Sequence, residues 1–341
     1  MSAVAWAEPR RIAVFRALAL GDLLCATPAL RALRLRFPQA EIALIGLPWS
    51  AALGARLDSI DRVVPFPGWP GVREAPFDTD RLAALLAETR AEPFDLAIQM
   101  HGSGEISNGF VAALGARRTL GYRLGDDDRL TDSLPWHDGE HETLRWLRLV
   151  GAIGAATPCS TPEFPLHAAD HAEAATLLGT LPLGTGPIVA LHAGAADPAR
   201  RWPSERFARL GDELAARFGA RLILTGSAAE RPLAAAVRAA VGTPALDLTG
   251  RTSLGGFAAM LARADLLVTN DTGASHLAAA TRTPSVVLFG PTRPDRWAPL
   301  NTRLHRVVDA QTPRPDDPPA LALQALPVEP VVAACAEALA K

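Results

Sequence analysis

The chain has 341 residues, 49% of them hydrophobic and 21% charged, and a formal net charge of −2. That length favours two domains, and the near-neutral balance excludes a surface that is basic throughout, as a general binder of nucleic acid or anionic membrane would carry. Of the 34 basic residues only Lys341 is a lysine; this excludes a Walker A loop, a Schiff base and a pyridoxal site and leaves arginine, with its planar fork, to hold any phosphate.

Residues 11–16 (RIAVFR) read as the first strand and 17–22 as the loop after it. Thr27-Pro28 has the signature of a helix start, a capping hydroxyl followed by proline at the first helical position. Leu30, Leu33, Arg34 and Phe37 then keep a helical spacing. Strands follow at 41–46 (EIALIG), around Val63-Val64, and at 95–100 (DLAIQM), with a helix over 80–90. Strands alternating with helices predict an α/β fold with a parallel sheet covered on both faces.

After the 95–100 strand comes HGSGEIS, from His101 to Ser107. It is one residue short of a G-x-G-x-x-G/A dinucleotide fingerprint, but no ribose-binding acid follows at a strand end, and Asp126-Asp127-Asp128 lies in a polar loop. Residues 99–108 read instead as a polar substrate-side loop or a plain glycine turn. Arg117, Arg118 and Arg123 nearby are solvated charges or groups for an anionic acceptor. Residues 141–151 (HETLRWLRLVG) form an amphipathic helix. The stretch 156–165, rich in Pro, Ser and Thr, is the best domain boundary in the chain.

A second series of strands is predicted at 188–192, 221–225, 245–248, 266–269 and 285–289, with helices at 204–218, 231–241 and 254–263. Each strand leads into a polar or glycine loop: Ala193-Gly194, Gly226-Ser227, Gly250-Arg251-Thr252 and Asp271-Thr272-Gly273. Ligands of open parallel sheets bind at that carboxyl edge. The fourth loop opens a small-residue helix over 274–280, whose first N–H groups favour an anion. Thr272, Gly273 and His276 can face one phosphate there; the plainer alternatives are an N-cap for Asp271 or Thr272 and a core histidine for His276. The string DTGAS also resembles an aspartic-protease motif, but such enzymes need two carboxylates sharing a proton, and no second D-[ST]-G occurs. Residues 312–330 are proline-rich and read as irregular, and 331–340 as a short terminal helix.

Cys25, Cys159 and Cys335 lack metal-ligand spacing, which fits a reducing compartment. No apolar run approaches the roughly 18 residues of a spanning helix, and the N-terminal MSAVAWAEPRR lacks the basic start of a signal peptide. A cytoplasmic protein is expected. No carboxylate cluster is built for a divalent ion, so neither a metal nor another cofactor is expected.

Three motifs together resemble a known family. Residues 16–22 (RALALGD) with 27–34 (TPALRALR), the Arg200-Arg201-Trp202-Pro203 loop, and 270–280 (NDTGASHLAAA) followed by 288–292 (LFGPT) resemble the ADP-heptose:lipopolysaccharide heptosyltransferases, glycosyltransferase family nine. The resemblance implies a GT-B fold: two facing Rossmann-like domains, here 1–165 for the acceptor and 166–326 for the donor, with a C-terminal helix, 327–341, that packs back on the N-terminal domain. It implies Asp22 as general base; Arg200, Thr272, Gly273 and His276 at the donor phosphates; Asp271 at the donor sugar; and Glu230 at the ribose. The acceptor side is expected in the N-terminal domain, near Gln99, His101 and Arg123, and the sequence departs from the family's best-known members over 101–108. The implied partners are ADP-heptose and a glycan or glycolipid acceptor, with no nucleic acid and with peripheral contact at the inner membrane face. Another nucleotide-sugar donor, an epimerase activity and a non-catalytic nucleotide-sugar binder remain open alternatives.

Overall fold

Continuous apolar runs separated by helices build two parallel sheets in the computed structural model, which describes residues 8–181, 184–310 and 322–340. The chain divides into two units, Met1–Ser160 and Thr161–Lys341.

In the first unit the order is β1 (Arg11–Phe15), α1 (Leu20–Arg36), β2 (Glu41–Gly46), α2 (Ala51–Gly54), β3 (Arg62–Pro65), α3 (Thr79–Ala91), β4 (Leu96–Gln99), α4 (Ser107–Ala113), β5 (Arg118–Arg123), β6 (Asp132–Pro135) and α5 (Glu142–Gly151). The strands pair in the order β3-β2-β1-β4-β5-β6, in parallel throughout, with Ile12 opposite both Ile42 and Leu96. Strands β1, β2 and β4 are apolar on both faces because helices cover both. Phe15, Phe66, Phe94 and Phe110 are buried on one side, and the rings of Phe15, Phe66 and Phe110 pack within 5.0 Å of one another.

Helix α1 begins at Leu20, seven residues before the Thr27-Pro28 start expected from sequence, so Pro28 lies inside it. Proline there cannot donate to the carbonyl of Leu24. The Thr27 hydroxyl takes that carbonyl instead, at 2.8 Å, and the helix runs on. Asp22 therefore sits in the first turn of a helix, not in a loop.

The second unit has α6 (Ala168–Leu178), β7 (Ile188–His192), α7 (Ser204–Phe218), β8 (Arg221–Leu224), α8 (Arg231–Ala240), β9 (Ala245–Asp247), α9 (Leu254–Leu261), β10 (Leu266–Asn270), α10 (Gly273–Thr281), β11 (Ser285–Phe289), α11 (Pro294–Trp297), β12 (His305–Asp309), α12 (Ala322–Ala325) and α13 (Val328–Leu339). Its parallel sheet runs β12-β11-β10-β7-β8-β9. Counted from the first strand of each unit, both sheets have the same order, that of a doubly wound dinucleotide-binding fold. The order reverses between β1 and β4 in one unit and between β7 and β10 in the other. Chain leaving those strands opens a crevice at the carboxyl edge.

Part of the irregular stretch expected over 312–330 lies outside the described residues. From Ala322 onward it is largely helical, and α13 starts at Val328, with Pro327 as N-cap and Pro330 in the first turn, where no N–H is needed. Helix α13 packs on α7 and on β10, β11 and β12 of its own unit. Val331, Val332 and Cys335 join Trp202, Phe207 and Leu288 in that core.

Candidate active site

At the first unit's crevice the chain leaves β1 through Arg16 and Ala17 and enters α1. The N-cap, Ala19, makes no side-chain cap bond, and Asp22 is the acid of the first turn, where a negative charge suits the helix dipole. Its side chain is 23% exposed and its carboxylate lies 3.8 Å from Nη2 of the buried Arg16. Asp22 is thus not the N-cap itself; it is a partly open first-turn acid with a cation behind it.

His101 follows β4 across the same crevice. Its ring stacks on Phe15 at 4.9 Å, and the Ala17 N–H donates to its Nδ1 at 3.3 Å. Burial, with Arg16 adding to it, lowers the His101 pKa from 6.5 to about 4. The imidazole is therefore neutral with its proton on Nε2, 3.7 Å from the Glu74 carboxylate. In that tautomer Nε2 is a donor, so His101 can bind a hydroxyl but cannot take its proton. The pH consequence is specific. Between pH 6.5 and about 4 the unfolded chain binds a proton at His101 that the fold refuses, so stability falls as pH falls through that window, by on the order of 3 kcal/mol. We expect His101→Gln, which keeps an acceptor for Ala17, to lose less in Tm than the parent between pH 7 and 4.5. Equal losses would show that His101 is not a source of the acid sensitivity.

Residues 71–74 and 101–107 line an open pocket of about 230 Å³ beside His101. The near-fingerprint of this loop is structural. A Cβ on Gly104 would stand 2.2 Å from the Tyr122 carbonyl, and Gly104 has φ +93, so glycine is set by packing and not by a pyrophosphate. Asn108 donates to the Tyr122 carbonyl at 2.9 Å and to Asp127 at 2.8 Å, and Arg129 bridges Asp127 and the Glu105 carbonyl. Gln99 is fully buried. Its amide donates to the His101 carbonyl and to the Ser107 hydroxyl, both at 2.5 Å. It holds this loop from inside and does not face an acceptor. Arg123 ends β5 and donates to the Gly125 carbonyl of its own turn; Arg118, read as a solvated charge or an acceptor group, is paired in a fork with Asp132 at 2.9 Å.

In the second unit the crevice gathers the phosphate candidates. Asn270, at the end of β10, donates to the carbonyls of Ala193 and Gly194 after β7, at 3.0 and 3.3 Å, and accepts from the Trp202 N–H at 3.0 Å. Trp202 is buried and donates from its ring to the Leu326 carbonyl. These bonds draw the Arg200 loop against the start of α10. Arg200 Nη1 then lies 3.8 Å from Asp271 Oδ2, with the arginine side chain 40% exposed and Asp271 buried. The Thr292 hydroxyl donates to the same carboxylate at 2.7 Å. Thr272 is the N-cap of α10 and accepts from the Ala274 N–H, so the capping reading holds for it, while Asp271 is turned to Arg200 and Thr292. His276, one turn in, is buried with its ring edge-on to Trp297 at 6.2 Å.

Glu230 stands apart from that group, at the ends of β7 and β8. Its carboxylate accepts from the Ser227 N–H at 2.7 Å and presses so closely on Gly194 that a Cβ there would be 1.9 Å away. His192 faces it at 4.0 Å and also meets the Thr225 hydroxyl at 3.1 Å. Burial lowers the His192 pKa against the opposing pull of Glu230. The sequence reading placed Asn270 and Thr292 in motifs but assigned them no role, and placed His192 only in a strand. Strand-end position was the signal available for Asn270 and His192, and the 288–292 motif was the one that marked Thr292.

Among the described residues no group of three His, Cys, Asp or Glu side chains is placed to hold a metal ion. The family model for Glycosyltransferase family 9 (heptosyltransferase) matches residues 82–317, more than half the chain. This chain belongs to glycosyltransferase family 9. As a family 9 glycosyltransferase it is 28% identical over 300 residues to lipopolysaccharide heptosyltransferase 2 of Salmonella typhimurium, covering 83% of each protein. It is 28% identical over 296 residues to lipopolysaccharide heptosyltransferase 1 of Escherichia coli K12, covering 83% of this chain and 89% of the relative. Among solved structures, a family 9 glycosyltransferase from Veillonella parvula superposes with a TM-score of 0.82 at 21% identity over 97% of both chains. The ADP-heptose heptosyltransferase II of E. coli superposes with 0.75 at 22% identity over 97% and 98%. The shared architecture is the GT-B fold. The matched region takes in Arg200, Glu230, Asp271 and His276 but not Asp22, which lies before it.

Proposed function

We propose that this family 9 enzyme moves a heptose from ADP-heptose to the lipopolysaccharide core or a related glycan, by a single inverting displacement that needs no metal. The observation that carries this reading is the convergence of Arg200, Asp271 and the Thr272-capped start of α10 at the second unit's crevice, with Arg200 3.8 Å from Asp271. Relatives of both types are named for heptose transfer to lipopolysaccharide. Asp22 takes the proton of the acceptor hydroxyl, whose oxygen attacks the anomeric carbon. The bond from that carbon to the diphosphate oxygen breaks with oxocarbenium character, and ADP departs. Arg200, His276 and the N–H groups opening α10 stabilise the charge growing on the diphosphate. Asp271 orients the donor sugar, and Glu230 accepts from the ribose hydroxyls. The pocket beside His101 receives part of the acceptor, to which neutral His101 donates. The reading carries a cytoplasmic enzyme in peripheral contact with the inner membrane, where a lipid-borne acceptor is presented. No helix among the described residues is long and apolar enough to cross a membrane.

The test is a donor panel of ADP-heptose, UDP-sugars and GDP-sugars, each with core acceptor, read as nucleotide released. Release confined to ADP-heptose supports the proposal. Release from another donor gives a different GT-B enzyme, and binding with no release gives a non-catalytic binder.

A second expectation follows from the contents of the second unit. Because α13 packs on α7 and the β10–β12 strands, a fragment must keep it, so the piece to make is Thr161–Lys341 rather than one ending near 326. We expect calorimetry to show ADP binding to this fragment alone. A fragment with native circular dichroism and no heat of ADP binding would move the nucleotide elsewhere.

A further inference from the structure

Behind Asp22 lies a set of buried charges that the proposed reaction does not use. The Arg16 side chain has 0% exposure, so it touches neither donor nor acceptor. Its Nε donates to the Asp22 carbonyl at 2.7 Å and its Nη1 to the Met100 carbonyl at 2.5 Å. Its Nη2 donates to Glu142 at 3.3 Å and stands 3.8 Å from the Asp22 carboxylate. The guanidinium lies 4.6 Å over the Trp146 ring. Glu142, buried at the start of α5, accepts also from Arg145 at 2.6 Å and from the Trp146 N–H at 3.1 Å. Arg145 in turn is covered by Trp136 at 3.6 Å and donates to the carbonyls of His137 and Glu140. Tyr122 donates to the Arg145 carbonyl.

One planar fork thus joins the end of β1, the first turn of α1, the end of β4 and the first turn of α5. Buried ion pairs of this kind are poor sources of stability, since desolvation offsets much of their attraction and an apolar core of equal volume does as well. What they supply is a fixed geometry. The fork donates to the backbone carbonyl of Asp22 and stands 3.8 Å from its partly open carboxylate. A carboxylate that must meet a hydroxyl at hydrogen-bond distance gains from such anchoring, because small misplacements of a base are costly in rate.

We propose that Arg16, itself oriented by Glu142 and Trp146, is a positioning residue for Asp22 and acts on the reaction only through it. This rests on the reading of Asp22 as the base. Lysine keeps the charge of Arg16 but not its fixed fork, and Glu142→Gln keeps the shape of its anchor without the charge. The experiment is a double-mutant cycle in the full-length enzyme: Arg16→Lys and Glu142→Gln, each alone and each with Asp22→Asn, read as kcat, donor KM and Tm. Two variants are used because either one alone can fail to fold.

We expect each single variant to lower kcat roughly ten- to a hundredfold, the worth of a lost charge-assisted hydrogen bond, with donor KM within about threefold of the parent. In the Asp22→Asn background we expect less than about a threefold further loss, since residues that act as a unit are not additive. A merely structural role would give the same loss in both backgrounds, and that result overturns the proposal, as does unchanged kcat in both single variants. Near-normal turnover of Asp22→Asn itself is a separate outcome; it removes the base reading and the positioning role with it.

Discussion

Asp22→Asn is expected to lower kcat by roughly 10²–10⁴, the usual contribution of a general base, and to leave the affinity for the ADP portion of the donor unchanged. The substitution keeps the size and polarity of the side chain and removes its charge. The affinity is spared because the diphosphate candidates, Arg200, Thr272, Gly273 and His276, belong to the second unit. A competing role has a smaller signature. As the acid in the first turn of α1, Asp22 interacts with the helix dipole, which contributes about 0.3–1 kcal/mol. Its position beside Arg16 adds a second electrostatic contribution to the fold. Loss of these lowers Tm by a few degrees without a hundredfold effect on turnover. Measuring kcat, ADP Kd and Tm on one preparation separates the two roles. Near-normal kcat with a lowered Tm would leave Asp22 a helix-end residue and require another base. His101 is a poor substitute, because its Nδ1 accepts from Ala17 and its Nε2 carries the proton.

The strands that position this chemistry were legible because β1, β2, β4, β7, β10 and β11 are buried on both faces and so read as apolar runs. Three strands toward the sheet edges, β5, β6 and β12, were not. Strand β6 (DSLP) and strand β12 (HRVVD) are only partly buried, and β5 (RTLGYR) mixes arginines with glycine. Each becomes a strand through its neighbour in the sheet, which no local pattern records. Helix α6 is held at its far side by Glu173, which accepts from Ser253 at the start of α9, again a tertiary bond. Thr27-Pro28 misled for a different reason. A hydroxyl before proline marks a helix start, and the same pair serves inside a helix once the hydroxyl turns back on the carbonyl that proline leaves open. Gln99 misled because a polar residue at a strand end suggests a ligand, whereas this amide is spent on the loop beneath it. For the donor side, the sequence supplied the residues and the strand order supplied their meeting: β7 and β10 are adjacent only because the sheet reverses there.

Arg200→Ala is expected to lower kcat/KM for the donor by roughly ten- to a hundredfold, since a charge-assisted bond to phosphate contributes about 1.5–3 kcal/mol. The structure separates it from its neighbour. Arg201 is committed to the fold, donating to the Ala195 carbonyl at 2.8 Å and the Ala196 carbonyl at 3.3 Å. Arg200 is not committed in that way. Its side chain is 40% exposed, its counter-charge Asp271 is at 3.8 Å, and its buried Nε has no hydrogen-bond partner among the described residues. A guanidinium held over a helix start with donors to spare can accept a diphosphate, and with no lysine before residue 341 an arginine must provide that charge. Arg200→Lys, which keeps the charge but not the fork, should recover part of the loss. Arg201→Ala should lower Tm and change kcat/KM less than Arg200→Ala, since its bonds hold the loop rather than the donor. Because the Arg200 side chain is partly exposed, added salt should narrow the gap between the parent and Arg200→Ala. If Arg201→Ala reduces kcat/KM while Arg200→Ala does not, the loop presents the other guanidinium to the phosphates, and the placement of the diphosphate at Asp271 and α10 must be redrawn.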